Sequence, residues 1–445
     1  MAAAIADFLD RRTPGGLLAL ALLLALAARL AALALFGDIS PGVQIWEYGE
    51  QAQCAYRNGS DLCLRYPDES GGAYPSAYMP PLLSYLWLVL FHLFGDGSTA
   101  RALFLAVNLA LGVANVWLVF RLALALRLSR WAAFLAAGLM AVYPTFVFVT
   151  ATYHHTNLAV FLLLAIVLVA ARIARRERVA WRDAALGGAL CGLAALNRSE
   201  MLIAGPALLG LGALWRRSLA DVFRVGMVGA LAMAVILAPW VVRNYLLFER
   251  VIPVAQSTGY NLWKGFNPYT NGSGNMTEEP PDGPGDAARD RIALSVPTGP
   301  RFETDLQDAY MAEFEAYMAE VPPGRLLELS LNKVLLLWGF DWTDRDVTGG
   351  IAYRLPWVVA NLLALVGLVV LWRERRKLDG AVVALGLAAL FLLTLAYVAT
   401  AVHARYRMHI EPFLFVLAGA GAQALLAWLG VRFGGSGGAV RQPTS

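Results

Sequence analysis

The sequence is poor in charge. Asp, Glu, Lys and Arg make up 15% of its 445 residues, against about 25% in an average soluble domain, too little polar surface for the two or three water-soluble domains this length suggests. Cysteine and histidine are scarce too, at 3 and 5 residues. So few cysteines exclude a disulfide-built secreted scaffold, and no His/Cys cluster has zinc-ligand spacing. Nor is there an inverted internal repeat of the kind many transporters carry. Basic residues outnumber acidic ones, 36 to 32, and the pI is near 9.0. They fall in short clusters between apolar blocks, which is how membrane topology is written, so nucleic-acid binding is set aside.

Apolar residues fill the gap left by charge: 58% of the chain is hydrophobic and the mean hydropathy is +0.56. One crossing of a roughly 30 Å hydrocarbon core takes about 20 apolar helical residues. The blocks 15–36, 99–121, 131–149, 156–174, 223–243, 351–372, 380–401 and 409–429 meet that test. The stretch 184–215 is interrupted at Asn197-Arg198-Ser199-Glu200 and reads as two short crossings meeting at a polar break. The first block is longer than a signal-peptide core and lacks a small-residue cleavage site, so it is expected to remain as an anchor. These blocks describe an all-α polytopic membrane protein with about ten transmembrane helices.

With the N-terminus cytoplasmic, Arg11/Arg12, Arg121/Arg127/Arg130, Arg172 to Arg182, Arg216/Arg217/Arg224 and Arg373 to Lys377 all fall on the inner side, as the positive-inside rule requires. The outer side receives the long hydrophilic segments 37–98 and 244–350. Within them 80–94 and 326–340 read as interfacial helices, 270–300 as a mobile loop around Glu278-Glu279-Pro280-Pro281, and 302–320 as an amphipathic helix. The chain thus divides into an N-terminal transmembrane module, 1–243, a large outer loop, 244–350, C-terminal helices, 351–433, and a tail, 434–445, whose Gly/Ser composition predicts disorder.

The residues that can carry chemistry lie mainly on the outer side. Trp46-Glu47-Tyr48-Gly49-Glu50 follows the first span. Glu47 is either a solvated loop carboxylate or a proton acceptor held at the membrane surface between two aromatic rings; Glu50 shares its face if the segment is helical. Tyr78 lies in Pro75-Ser76-Ala77-Tyr78-Met79-Pro80-Pro81-Leu82, where the double proline starts a helix. Cys54 and Cys63, in the same loop, are spaced so that a disulfide is permitted but not required. His154 and His155 are either hydrogen-bonded surface residues or groups that orient a sugar or phosphate. Arg198 and Glu200 interrupt an apolar block and must face a cavity or each other, and Arg29 in the first span is a similar case. Arg243, Lys264, Arg405 and Arg407 are cations on the side the positive-inside rule depletes. Each alone is an ordinary interfacial anchor, but with the outer carboxylates they suggest a phosphate site beside a proton acceptor.

Taken in order, W-E-Y-G, P-S-A-Y-M-P-P-L, L-N-R-S-E, P-W-V-V-R-N-Y, G-Y-N-L-W-K-G-F-N-P and A-R-Y-R-M-H-I-E-P-F resemble the C-type glycosyltransferase superfamily (GT-C), in the bacterial branch similar to protein O-mannosyltransferases and aminoarabinose transferases. The resemblance implies a GT-C-like fold and transfer of a sugar, with inversion, from a polyprenyl-phosphate carrier to an envelope lipid, glycan or protein at the outer face of a bacterial inner membrane. It puts Glu47, with Glu50 as alternate, in the place of the first-loop acid. Arg243, Arg405 and Arg407, then Lys264 and Arg198, would hold phosphate, beside His154, His155, Tyr48 and Tyr78 in the substrate site. Many members carry an Asp four residues before the tyrosine, where this chain has Gln44, and a second acid where it has Asn157. One carboxylate is a poor divalent-metal site, so neither metal nor other cofactor is expected. The rival reading is a secondary transporter or lipid-linked glycan flippase. It requires ionisable residues deep in several spans, for which only Arg29 and the 197–200 break qualify.

Overall fold

The structure, a computed structural model, describes residues 13–66, 72–216, 218–274, 283–340 and 350–431. Arg11, Arg12, Arg217, the 278–281 run and the tail from Gly434 lie outside the described residues. In chain order the helices are α1 (Pro14–Phe36), α2 (Trp46–Asn58), α3 (Pro81–Phe94), α4 (Ser98–Ala125), α5 (Arg130–Val142), the short α6 (Pro144–Phe148), α7 (Thr156–Arg175) and α8 (Trp181–Asn197). There follow α9 (Met201–Leu214), α10 (Leu219–Phe248), α11 (Thr258–Gly265), α12 (Pro284–Leu294), α13 (Phe302–Glu320), α14 (Pro323–Trp338), α15 (Ile351–Arg373), α16 (Gly380–Val398) and α17 (Glu411–Trp428). Seven of these, α1, α4, α7, α10, α15, α16 and α17, are long and apolar enough to cross a membrane, and the bent α5–α6 unit makes an eighth. The shorter α8 and α9 meet at the polar break 198–200. The protein is a multi-pass membrane protein.

The apolar block 131–149 is not one straight helix. It bends by 57° at Tyr143-Pro144. Proline has no N–H to return to the fourth residue back, so the last carbonyls of α5 are left open. Arg29 closes them: its guanidinium, fully buried in α1, donates to Ala141 O at 3.0 Å and Met140 O at 3.4 Å. A cation at a helix C-terminus is also electrostatically favourable. Arg29 therefore caps a broken span.

Elsewhere small residues set the packing. Gly367 of α15 and Gly421 of α17 face each other so closely that a Cβ on either would lie 1.9 Å from a carbonyl oxygen of the other helix. Without water to expel between lipid-facing helices, this backbone approach is what gives the pair its dispersion contact.

The two ends of the bundle differ in charge. At one end Arg175 and Arg127 pair with Asp379, at 2.8 and 3.7 Å, Arg176 with Asp183 at 2.9 Å, and Arg216 with Asp221 at 2.9 Å. The basic turns after α4, α7, α9 and α15 are thus gathered together. The long loops cover the other end. There Cys54 and Cys63 form a disulfide with Cα atoms 5.5 Å apart, and β1 (Cys63–Arg65) pairs antiparallel with β2 (Ala73–Pro75). Helix α10 runs through Arg243 to Phe248, five residues past the expected end of the apolar block, because Arg243 and Asn244 find partners in the loops. The segment 284–294, expected to be loop, is helical: Pro284 stands in the first turn, where its ring fits, and Ala288 and Ile292 pack beside Trp263 and Tyr310.

Candidate functional site

Six chain segments converge at the loop end around a cavity of about 310 Å³. They are the start of α2 (Trp46, Glu47, Tyr48), the approach to α3 (Tyr78 to Pro80), the turn before α7 (His154, His155), the break 197–200, helix α11 with Lys264, and the segment carrying His403, Arg405 and Tyr406. Each reaches the cavity where a helix starts or stops, so side chains and backbone ends are presented to it without interrupting a span. A second cavity of about 340 Å³ adjoins it, lined by Glu50, Arg65, Tyr66, Arg289 and Tyr310 among others, with Glu47, Tyr78 and Tyr260 common to both. Glu47 is thus on the shared wall.

Of the residues singled out in the sequence, Glu47, Tyr48, Tyr78, His154, His155, Arg198, Lys264 and Arg405 line the first cavity, and Glu50 lines the second. Arg243 and Arg407 line neither, a correction to their expected place. Arg243 donates to Asp61 at 2.6 Å, to the Ser76 and Leu62 carbonyls at 2.8 Å and to Asn244 at 2.9 Å, which uses its fork up in tying the first loop to α10. Arg407 is fully buried; it donates to Gly339 O at 2.6 Å and Tyr353 Oη at 2.8 Å, and lies 3.6 Å from Glu411. The physical reason is the turn at Ala404–His409, a 3₁₀ helix, in which residues three apart share a face. His403, Tyr406 and His409 therefore share one face, and Arg405 and Arg407 cannot point the same way.

The cavity holds three cations, Arg198, Lys264 and Arg405, against two carboxylates, Glu47 and Glu200. Arg405 is exposed and stacks over Trp46 at 5.9 Å. Lys264 is buried and lies 5.4 Å over Tyr260. The histidines add no charge. Burial, then Arg405 and Arg198, push the His154 imidazole down to about 3. His155 is held well below the usual histidine range by burial, by His154 and by Arg198, and His403 by burial and Lys264. Neutral imidazoles lying among fixed guanidinium groups make a polar lining whose net charge comes from Arg, Lys and Glu alone. Such a lining suits a phosphate oxygen set.

On the second cavity's side, Glu303 is buried and receives Tyr66 Oη at 2.5 Å and Ala77 N at 2.7 Å. Burial raises its carboxyl above the usual range, opposed by bonds from Ser76, Tyr66 and Ala77. Burial and the neighbouring Glu47 raise Glu50 in the same direction. Glu303 and His403 escaped the sequence reading as site residues, and Glu200 was read only as facing a cavity or Arg198. Glu303 sits in an acidic helix where nothing marks it out; the i, i+3 spacing of His403 and Tyr406 was the available signal for His403. Asn157, where a second acid was sought, is buried, and its amide donates to Asn108 Oδ1 at 2.8 Å, between α7 and α4. Among the described residues no three His, Cys, Asp or Glu side chains gather as a metal site.

Residues 78–242 match the family model described as dolichyl-phosphate-mannose-protein mannosyltransferase. Among solved structures the chain resembles the archaeal oligosaccharyltransferase AglB from Archaeoglobus fulgidus, in complex with an inhibitory peptide and a dolichol-phosphate. The TM-score is 0.56 and the identity 15%, over 94% of this chain and 50% of that one. The oligosaccharyltransferase of the same organism tethered with an acceptor peptide gives 0.55 and 13%, over the same shares. ArnT from Cupriavidus metallidurans bound to undecaprenyl phosphate aligns at a TM-score of 0.42 and 15% identity, over 92% of this chain and 78% of that one. This chain spans about half the length of the oligosaccharyltransferase, and at these identities the likeness to that protein is one of fold. No curated protein matches it by sequence.

Proposed function

From a chain with the GT-C fold of membrane glycosyltransferases, we propose an enzyme that transfers a sugar from a polyprenyl-phosphate carrier to a hydroxyl of an envelope acceptor. The observation that carries this reading is the placing of Glu47 on the wall of a cavity that also holds Arg198, Lys264 and Arg405. The acceptor oxygen attacks the anomeric carbon in line, its proton passes to Glu47, and the bond from that carbon to the phosphate oxygen breaks. The polyprenyl phosphate leaves with the electron pair, and the anomeric configuration inverts. A phosphate needs no general acid to depart. Its growing charge needs fixed cations in a site shielded from bulk water, commonly the largest catalytic contribution, and Arg198, Arg405 and Lys264 supply them. No step calls for a metal ion.

The loops that roof the cavity belong on the outer face of a bacterial inner membrane, with both termini cytoplasmic. The basic turns at the opposite end support this, as does the disulfide, which persists in an oxidising compartment.

The test is transfer by purified protein from polyprenyl-phosphate sugar. Glu47→Gln keeps the volume and removes the proton acceptor, so transfer falls by about 10²–10⁴ with donor binding retained. Glu50→Gln, whose carboxylate faces the second cavity, keeps most activity. Full activity in both variants refutes the base assignment, and loss of activity on adding a chelator refutes the metal-free mechanism.

A further inference from the structure

Arg198 is held more elaborately than a salt bridge requires. Its Nε donates to Glu200 Oε1, one terminal nitrogen lies 3.4 Å from His155 Nε2, and the other has no hydrogen-bond partner among the described residues. The guanidinium lies 5.0 Å over the ring of Tyr406 and 5.6 Å over that of Tyr397. Glu200 is anchored in turn. Tyr397 Oη, at the end of α16, is 3.1 Å from Glu200 Oε1 and 2.8 Å from His409 Nδ1. That nitrogen is also 3.0 Å from the Tyr406 carbonyl. A carbonyl can only accept, so Nδ1 of His409 carries the proton and the Tyr397 hydroxyl is left to donate to Glu200. The 198–200 break and, 197 residues on, the end of α16 with the 3₁₀ turn that closely follows it thereby converge on one guanidinium.

We propose that Glu200 and Tyr397 are positioning residues for the carrier's phosphate: they lock Arg198 with its unpartnered nitrogen available to the cavity, as the fixed part of an anion clamp that Arg405 completes. An unrestrained arginine gives up side-chain rotamer freedom when it binds a ligand. A guanidinium already held on one edge has given most of that up before the ligand arrives. This rests on reading the cavity as the donor site and goes beyond it by assigning roles to two residues that need not touch the donor.

The experiment measures stabilisation of the full-length protein in nonionic detergent by undecaprenyl phosphate, titrated by thermal shift. Wild type is compared with Arg198→Ala, Glu200→Gln, Tyr397→Phe and the Arg198→Ala/Glu200→Gln double variant. Stabilisation of wild type is expected, with apparent affinity roughly tenfold weaker in Glu200→Gln, the cost of a lost hydrogen bond to a charged group, and severalfold weaker in Tyr397→Phe. The double variant should bind no worse than Arg198→Ala alone, because Glu200 acts only through Arg198. Unchanged affinity in Glu200→Gln and Tyr397→Phe, or additive losses in the double variant, overturns the positioning role and leaves the donor-site reading standing. Failure of wild type itself to respond overturns both. Should Glu200→Gln not fold, Tyr397→Phe decides alone, since it removes one hydroxyl and keeps the ring beneath Arg198.

Discussion

Arg243 and Arg405 look alike in the sequence, each beside aromatics at a membrane interface, yet their surroundings give them different work. Arg243 has its hydrogen-bonding fork occupied by Asp61, Asn244 and two carbonyls, while Arg405 stands exposed at the cavity with an aromatic ring for support. Arg405→Ala should therefore weaken undecaprenyl phosphate binding about tenfold at unchanged melting temperature. Arg243→Ala should lower stability by about 1–3 kcal/mol through the acceptors it strands and alter donor affinity little. Melting curves with and without the lipid separate the two, and a reversed pattern refutes both assignments. Such a distinction is not legible in sequence, because whether a cation is spent or available depends on acceptors 181 residues away.

The histidines carry a consequence for acid stability. His154 folds with its imidazole lowered from 6.5 to about 3, so the unfolded chain binds its proton first as pH falls. Its stabilising contribution is whole above about 6.5 and drains away as pH drops toward 3. His155 and His403 act in the same sense. The raised carboxyl of Glu303 acts in the opposite sense, in the carboxyl range. The melting temperature should fall between pH 7 and pH 5, and His154→Gln should flatten that slope. An unaltered slope would mean that the imidazole is solvated in the folded protein.

At the scale of elements, the spans were legible because a membrane helix must be apolar over most of its length. The polar break between α8 and α9 was legible because Arg198 and Glu200 cannot sit in lipid unpaired. The irregular features escaped because their signals are local and their causes distant. Pro144 marks a possible break, but the bend is tolerable only because Arg29, over a hundred residues earlier, reaches the open carbonyls of α5. Helix α12 was hidden by averaging Pro284 with the glycines and acids before it. Arg29→Met, similar in length and apolar, leaves two buried carbonyls unpaired and should cost about 1–3 kcal/mol. Chemical denaturation in mixed micelles would measure this, and a variant as stable as wild type would mean that the span needs no cap.

Over the whole molecule, the division of labour runs along the bundle axis. Paired arginines and aspartates fasten the turns at one end; at the other, a disulfide, the Arg243 fork and the Glu303 carboxylate fasten the loops around Glu47. The overall plan was readable from the spacing of arginines, whereas which loop residues meet was not, since Glu303 reaches Ala77 across 226 residues. If the chain lies as proposed, reporters fused after Arg178 and at Gly299 must be active in opposite compartments, the first cytoplasmic and the second outside. The disulfide gives an independent check. In intact cells Cys54 and Cys63 should resist alkylation until an impermeant reductant is added, and Cys191, buried between helices, should stay unlabelled throughout. Reporters active on the same side would separate the basic turns from the inner face and, with them, the donor site from the compartment in which its acceptor lies.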